Sequence, residues 1–301
     1  MRILERRALD RLHPASDTPP MTTALQQGAH STAPPAYAQR RFGAVNWLGV
    51  ATLTEREIRR FMKVAFQTIV APLVSTALFL VVFMQAFGSS RAVHGVPYAE
   101  FLAPGLVMMA VLTNAFANSS SSLMIGKVQG SIVDVLMPPL SPSELGVALA
   151  VGAAARGVLV GLVAAVACAL FMALSPTPMR VAEPWAIAYF MLAGSFMFGF
   201  LGILGGVWAN KFDELAAATN FVITPLTFLS GTFYAIGNLP EPFLTFSHFN
   251  PVFYLIDGFR YGFTGVFEAP PMRGVLATLA LNIALALVCR RLLKSGYKLK
   301  S

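Results

Sequence analysis

The stretch TIVAPLVSTALFLVVFMQAF, residues 68–87, holds twenty residues and no charge. Coiled as a helix it would be about 30 Å long, matching the hydrocarbon core of a bilayer. A surface helix of a soluble domain keeps one face for water, and this stretch has none to offer. The whole chain agrees, being 56% hydrophobic and 12% charged, where a soluble domain carries about 25% charged residues. The 22 Lys and Arg are clustered: ten precede residue 68, five follow Leu287 and only seven occupy the 220 residues between. Such clustering argues against a nucleic-acid-binding face and for positively charged cytoplasmic flanks.

Five more stretches have the length and apolarity of a span: about Phe101 to Leu123, then within 145–173, 185–209, 215–236 and 274–289. Arg56, Arg59, Arg60 and Lys63 precede the first span, and Arg290, Arg291, Lys294, Lys298 and Lys300 follow the last. The positive-inside rule then puts both termini in the cytoplasm, which requires an even number of crossings, and six fits. The loops after spans 1, 3 and 5 face outward and hold the sparse set Arg91, Arg180, Arg260 and Arg273. The expected fold is an all-α membrane protein. Residues 1–44 read as a disordered cytoplasmic leader without the apolar core of a secretory signal, and Met21 offers a second start. Residues 45–298 form the transmembrane domain and 299–301 a short tail. Cys168 and Cys289 both fall in apolar stretches and read as small core hydrophobes.

TEREIRRFMKVAFQ, just before the first span, reads as an amphipathic helix lying along the cytoplasmic membrane surface. Thr54 with Glu57 makes a capping-box pattern, Glu55 and Arg59 an i,i+4 pair, and Ile58, Phe61, Met62 and Ala65 share one side. Pro72, Pro104 and Pro225 sit inside spans and predict kinks that neighbouring helices can repair. GVLVG (157–161) and GILGG (202–206) place small residues four apart, for close packing either within one subunit or between two.

No Asp or Glu falls well inside a span, which argues against a proton-coupled mechanism. Asn114, Asn118 and Ser122 recur every four residues on span 2. They are either interhelical hydrogen-bonding groups or the wall of a translocation path. Arg156 interrupts a run of 29 residues, Leu145 to Ala173, longer than the bilayer core is thick. It can sit near the cytoplasmic third and snorkel, as an anchor or as a gating or substrate contact.

Between the fifth and sixth spans lies NPVFYLIDGFRYGFTG, residues 250–265. Asn250 as N-cap and Pro251 at the first helical position start a helix, which carries Asp257 and Arg260 three residues apart and able to pair. Pro240 and Pro242 mark the turn before it. From Gly237 to Arg273 the chain is too polar to span and too apolar for a free loop. A re-entrant pair of short helices in the outer leaflet is expected.

This region resembles the membrane subunit of ABC transporters of the type-2 export class. The resemblance rests on ITPLTFLSGTFYAIGNLP (223–240) followed by NPVFYLIDGFRYGF (250–263), on the inner loop GKVQGSIVDVLMPPLSPSEL (126–145) and on AARG (154–157), and it covers about residues 45–298. Asp134 stands where many relatives carry Glu. The resemblance implies an exporter of drug, polysaccharide or lipid-like cargo in the cell (inner) membrane, working as a dimer with two copies of a separate ATPase. It implies that Gly130, Asp134, Val135, Leu136, Pro138 and Pro139 form the ATPase-coupling surface together with the helix before span 1. Pro240, Asn250, Pro251, Asp257, Gly258 and Arg260 make the re-entrant signature. The chain itself has no G-x-x-x-x-G-K-[ST] loop, so ATP and Mg²⁺ belong to the partner, and no cofactor, metal or catalytic residue is expected here. The alternatives are an ion-coupled secondary transporter without an ATPase and a non-transporting membrane scaffold.

Overall fold

The computed structural model describes residues 45–87, 92–173 and 179–298. The leader and tail expectations, together with Arg91 and Lys300, fall outside those residues. The described chain is mostly helical. Helix α1 (Trp47–Met62) leads through a turn at Lys63 and Val64 into α2 (Ala65–Phe87). A two-residue hairpin, β1 (Ala92–Val93) with β2 (Val96–Pro97), precedes α3 (Tyr98–Val128). Then come α4 (Ile132–Leu136), α5 (Pro142–Ala173) and α6 (Pro184–Trp208). A further rod begins as α7 (Phe212–Ala218), passes through a π-turn (Thr219–Ile223) and ends as α8 (Thr224–Phe228). Two short helices, α9 (Phe243–Phe249) and α10 (Pro251–Thr264), lead to α11 (Pro271–Ser295).

Five of these helices, α2, α3, α5, α6 and α11, are long and apolar enough to cross a membrane. Burial ranks them. The most apolar window of α3 is 83% buried, against 11% for α2 and 17% for α11, so α3 is the axis of the bundle and α2 and α11 are outer staves. The stretch expected as the fifth span, 215–236, is helical only to Phe228, where the chain turns through Leu229, Ser230 and Gly231. Pro225 lies just beyond the π-turn. A proline there removes a backbone donor and crowds the preceding turn, and the wider π-turn absorbs that misfit. The Thr224 hydroxyl donates back to the Thr219 carbonyl at 3.0 Å across the same turn.

Small residues set how closely α6 and α5 approach α3. A Cβ at Gly202 would collide with the Ser119 hydroxyl and the Phe116 carbonyl oxygen, and one at Gly161 with Val111. Both glycine motifs therefore serve packing inside this chain. With that separation the Ser119 hydroxyl donates to the Gly199 carbonyl at 2.7 Å.

The connections sort to two ends. At one, α1, the 129–141 segment, the 207–211 turn and the last turn of α11 meet: Asn46 N–H donates to Glu144, Lys127 Nζ to the Val207 and Ala209 carbonyls, and Lys298 Nζ to the Trp208 carbonyl. At the other, Tyr98 hydroxyl donates to the Phe233 carbonyl, and Ala182 and Glu183 N–H to the Gly262 carbonyl.

Helix α1 begins eight residues earlier than the capping-box pattern at Thr54 suggested. Asn46 is its cap and accepts from Gly49 N–H. Thr54 is mid-helix, and Glu57 has turned inward and is 2% exposed. The working capping box opens α5 instead. There Ser141 Oγ accepts from Glu144 N–H at 3.3 Å while Glu144 accepts from Ser141 N–H at 2.6 Å.

Candidate functional site

The polar groups of α3 gather at the end of the bundle occupied by α1. Spacing of four puts Asn114, Asn118 and Ser122 on one face of α3, and Leu53, Glu57 and Phe61 on the buried face of α1. The two faces meet. Ser122 Oγ donates to Glu57 Oε1 at 2.7 Å. Arg60 pairs with Glu57 Oε2 at 3.0 Å, and donates to the Asn118 carbonyl at 2.7 Å, to Asn118 Oδ1 at 3.1 Å and to Ser121 Oγ at 3.2 Å. A buried carboxylate is tolerable only with its charge answered and its lone pairs used, and Arg60 and Ser122 do both. From α5, Arg156 Nη2 donates to Asn114 Oδ1 at 3.2 Å.

So Asn118 and Ser122 belong to one interhelical network with Glu57 and Arg60, Asn114 and Arg156 form a separate interhelical pair, and the hydrogen-bonding alternative describes the contacts of all four. Asn114 also lines an open groove of about 250 Å³ between α2 and α3, with Thr76, Phe79 and Thr113. Glu57 and Arg60 are the members that the sequence marked only as half of a capping box and as part of a basic flank. They looked like surface charges of an amphipathic helix.

The 126–145 segment presents a mixed surface. Gly130 takes a left-handed backbone, φ 69°, that lets the chain turn sharply after α3. Asp134, Pro138 and Pro139 are exposed, together with Val133 and Met137, the last at 77%. Val135 is not on that surface. It is 9% exposed and packs with Leu53, Leu123, Ile132 and Leu145. Leu136 ends α4, and its side chain lies outside the described residues.

At the opposite end, Asn250 caps α10 by accepting from Val252 N–H, and its amide donates to the Leu226 carbonyl and Ser230 Oγ, tying α10 to the end of α8. Pro251 holds the first helical position, and Pro240 stays on the surface. Gly258 makes room for the Phe190 ring, which any Cβ would strike. Asp257 and Arg260 serve separate partners. Asp257 accepts from the backbone N–H of Glu268 and Ala269 at 2.9–3.2 Å. Arg260, 3% exposed, donates to the Phe101 and Gly231 carbonyls, stacks 3.7 Å from the centroid of the Phe101 ring, and has Glu268 at 3.9 Å. Glu268 also accepts from Ile236 and Gly237 N–H. No sequence pattern marked Glu268 as the third member. Burial pushes the Asp257 and Glu268 carboxyls up from their usual range and Arg260 down.

Among the described residues no group of three or more His, Cys, Asp or Glu could hold a metal ion. Among the described residues the arrangement is one of anchoring between helices.

The family model described as ABC-2 type transporter matches residues 49–264. The chain is 34% identical over 256 residues to the Inner membrane transport permease YadH of Escherichia coli (strain K12), covering 85% of this chain and 98% of that protein. It is 27% identical over 221 residues to Nodulation protein J of Rhizobium leguminosarum bv. viciae, covering 72% of this chain and 82% of the relative.

Proposed function

The chain belongs to the ABC-2 type transporter family, and on that premise we propose that it is the permease half of an ATP-driven exporter in the inner membrane. It is a transport permease rather than an enzyme, as its curated relative is named. Two copies of this chain form the path, and two copies of a separate ATPase dock on the end that carries α1 and α4. ATP and Mg²⁺ act in that partner.

Six crossings are supported by where the elements end. Trp208 closes α6 beside Lys127 and Lys298, while α11 starts after Arg260 and Glu268 at the other end. The chain between them has to return across the bundle, and residues 212–228 are the helical stretch available. Helices α9 and α10 then form the re-entrant pair in the outer leaflet, with Asp257, Arg260 and Glu268 bracing the exit. The basic flanks at the α1 end support a cytoplasmic location for that end and for both termini.

The observation that carries the mechanism is the Glu57–Arg60 junction on α3. Closure of the ATPase pair pushes on α4 and α1. Because the Glu57–Arg60 pair of α1 is hydrogen-bonded to the most buried helix of the bundle, the push moves α3 as a rigid body. Candidate cargoes are amphipathic: lipid-like, polysaccharide-bearing or drug molecules. The test is purification of the tagged chain from its native membrane. A co-purifying subunit with Walker motifs and vanadate-sensitive, uncoupler-insensitive export is expected. Export by this chain alone would overturn the reading.

A further inference from the structure

We infer that Arg156, through its partner Asn114, makes the groove between α2 and α3 a seat half-way across the membrane for an oxyanion of the cargo, a carboxylate or a phosphate-class group; this deepens the permease reading and rests on it. The depth follows from three helices at once. Arg156 Nη2 donates to Asn114 Oδ1 at 3.2 Å, and Asn114 lines the groove together with Thr76. Thr76, Asn114 and Arg156 each lie within two residues of the midpoints of α2, α3 and α5. From Thr76 to either end of α2 is about 17 Å of helix. An arginine side chain cannot snorkel that far. The charge is therefore held at mid-depth, deeper than the cytoplasmic third that the sequence suggested. The phosphate of a membrane lipid stays at the surface of the bilayer, so an anion that meets Arg156 has to be carried there as cargo.

The charge is also unanswered. Arg156 forms no ion pair among the described residues, and no Asp or Glu lies well inside a spanning stretch. Glu57 on α1 is already engaged by Arg60 and Ser122. Arg156 Nε is buried without a hydrogen-bond partner, and so is Asn118 Nδ2, one turn along α3 from Asn114. Buried donors left open are costly, and two of them beside an unpaired cation call for a negatively charged acceptor. A charged side chain at this depth in a membrane is itself expensive, and its retention marks a site of function. An oxyanion in the groove takes the place of Asn114 Oδ1. The guanidinium then exchanges an amide oxygen for a charged acceptor that it can grip with two hydrogen bonds. Thr76 and Thr113 give the groove a polar edge, and Pro72, Phe79, Leu106 and Met109 suit the apolar part of the same cargo. A quaternary ammonium group at this place is repelled.

The test is binding of dansyl-aminoundecanoate to the purified full-length chain in a non-ionic detergent at mildly alkaline pH, compared with its uncharged methyl ester. The carboxylate should bind saturably and about tenfold tighter than the ester, the margin that a charged acceptor adds for a buried guanidinium. R156Q should remove the preference. Because R156Q also breaks the link to α3, N114D is the second variant: it puts a carboxylate of the chain beside the guanidinium, and should abolish the preference while the thermal unfolding temperature holds or rises. A merely structural Arg156 predicts the same stability for N114D and no change in the preference, which would overturn the proposal, as would a preference kept in R156Q. R290Q/R291Q, exposed positions near the end of α11, should change the preference less than about twofold; equal loss there would reduce it to diffuse surface charge and overturn the proposal. Sodium acetate at equal concentration should not displace the probe. Displacement would show a site for any small anion and overturn the assignment to cargo. Vanadate-sensitive ATP hydrolysis in a complex that shows no preference for the carboxylate sinks this inference and leaves the permease reading intact. Absence of any ATPase partner sinks that reading, while the binding data still decide the groove.

Discussion

Arg60 on α1 donates from a single nitrogen to both the backbone carbonyl of Asn118 on α3, at 2.7 Å, and the side-chain oxygen of the same residue, at 3.1 Å. A helix that composition marks as a surface element is thereby locked to the most deeply buried helix of the bundle.

Breaking that lock has a definite cost. R60A leaves Glu57, 2% exposed, charged and without its cation, and should destabilise the protein by about 3 kcal/mol. E57Q keeps a partner for Ser122 and should cost about 1 kcal/mol. Thermal unfolding in detergent measures both. In the assembled transporter R60A should uncouple ATP hydrolysis from export, read as hydrolysis retained with flux lost. If R60A left stability and coupling unchanged, the junction would have no mechanical role.

Surface and core separate within the 126–145 segment. M137D alters a side chain that is 77% exposed and should abolish ATPase association while shifting unfolding by less than about 0.5 kcal/mol. V135D puts a carboxylate among Leu53, Leu123 and Ile132 and should lose about 3 kcal/mol or fail to fold. Co-purification and unfolding of both variants check this. Retained association in M137D would move the docking surface elsewhere.

The charges on and beside α10 should not behave as a simple pair. Because Asp257 binds the 268–269 backbone while Arg260 faces Glu268 and the Phe101 ring, the double reversal D257R/R260D should not restore export lost in either single reversal. E268A removes the carboxylate nearest a buried guanidinium, and with it the partner of Ile236 and Gly237 N–H. A loss of about 3 kcal/mol is expected, read as earlier thermal unfolding. Rescue by the 257/260 reversal would show that the two residues pair directly.

Gly202 and Gly237 offer a contrast at constant chemistry. G202A drives a methyl into Ser119 Oγ and the Phe116 carbonyl and should cost about 2 kcal/mol or more of stability. G237A meets nothing within 4 Å and should be silent to within about 0.5 kcal/mol. Comparable folded yields for both would contradict the close α3–α6 packing.

Hydropathy made the long helices legible because it reports transfer from water, and α2, α5, α6 and α11 each lie near the stretch that their apolar runs suggested. The start of α10 was equally plain, since Asn250 and Pro251 act locally on neighbouring backbone. What remained hidden depended on distant partners. The inward turn of Glu57 is set by Ser122, 65 residues away, and the environment of Arg260 by Phe101, 159 residues away. Glu268 lay in an ordinary-looking loop. Capping-box patterns are short enough to arise without function, which is why Thr54 and Glu57 imitated one while Ser141 and Glu144 form it.

The rod from 212 to 228 has seventeen residues, about 26 Å of helix, whereas the hydrocarbon core is about 30 Å thick. On the proposal that this rod is the fifth crossing, a hydrogen-bonded helix cannot stretch and the lipid tails beside it would have to shorten their reach. Acyl-chain length then becomes a control variable for this transporter: longer tails would load this segment before any other, and a thinner bilayer would relieve it.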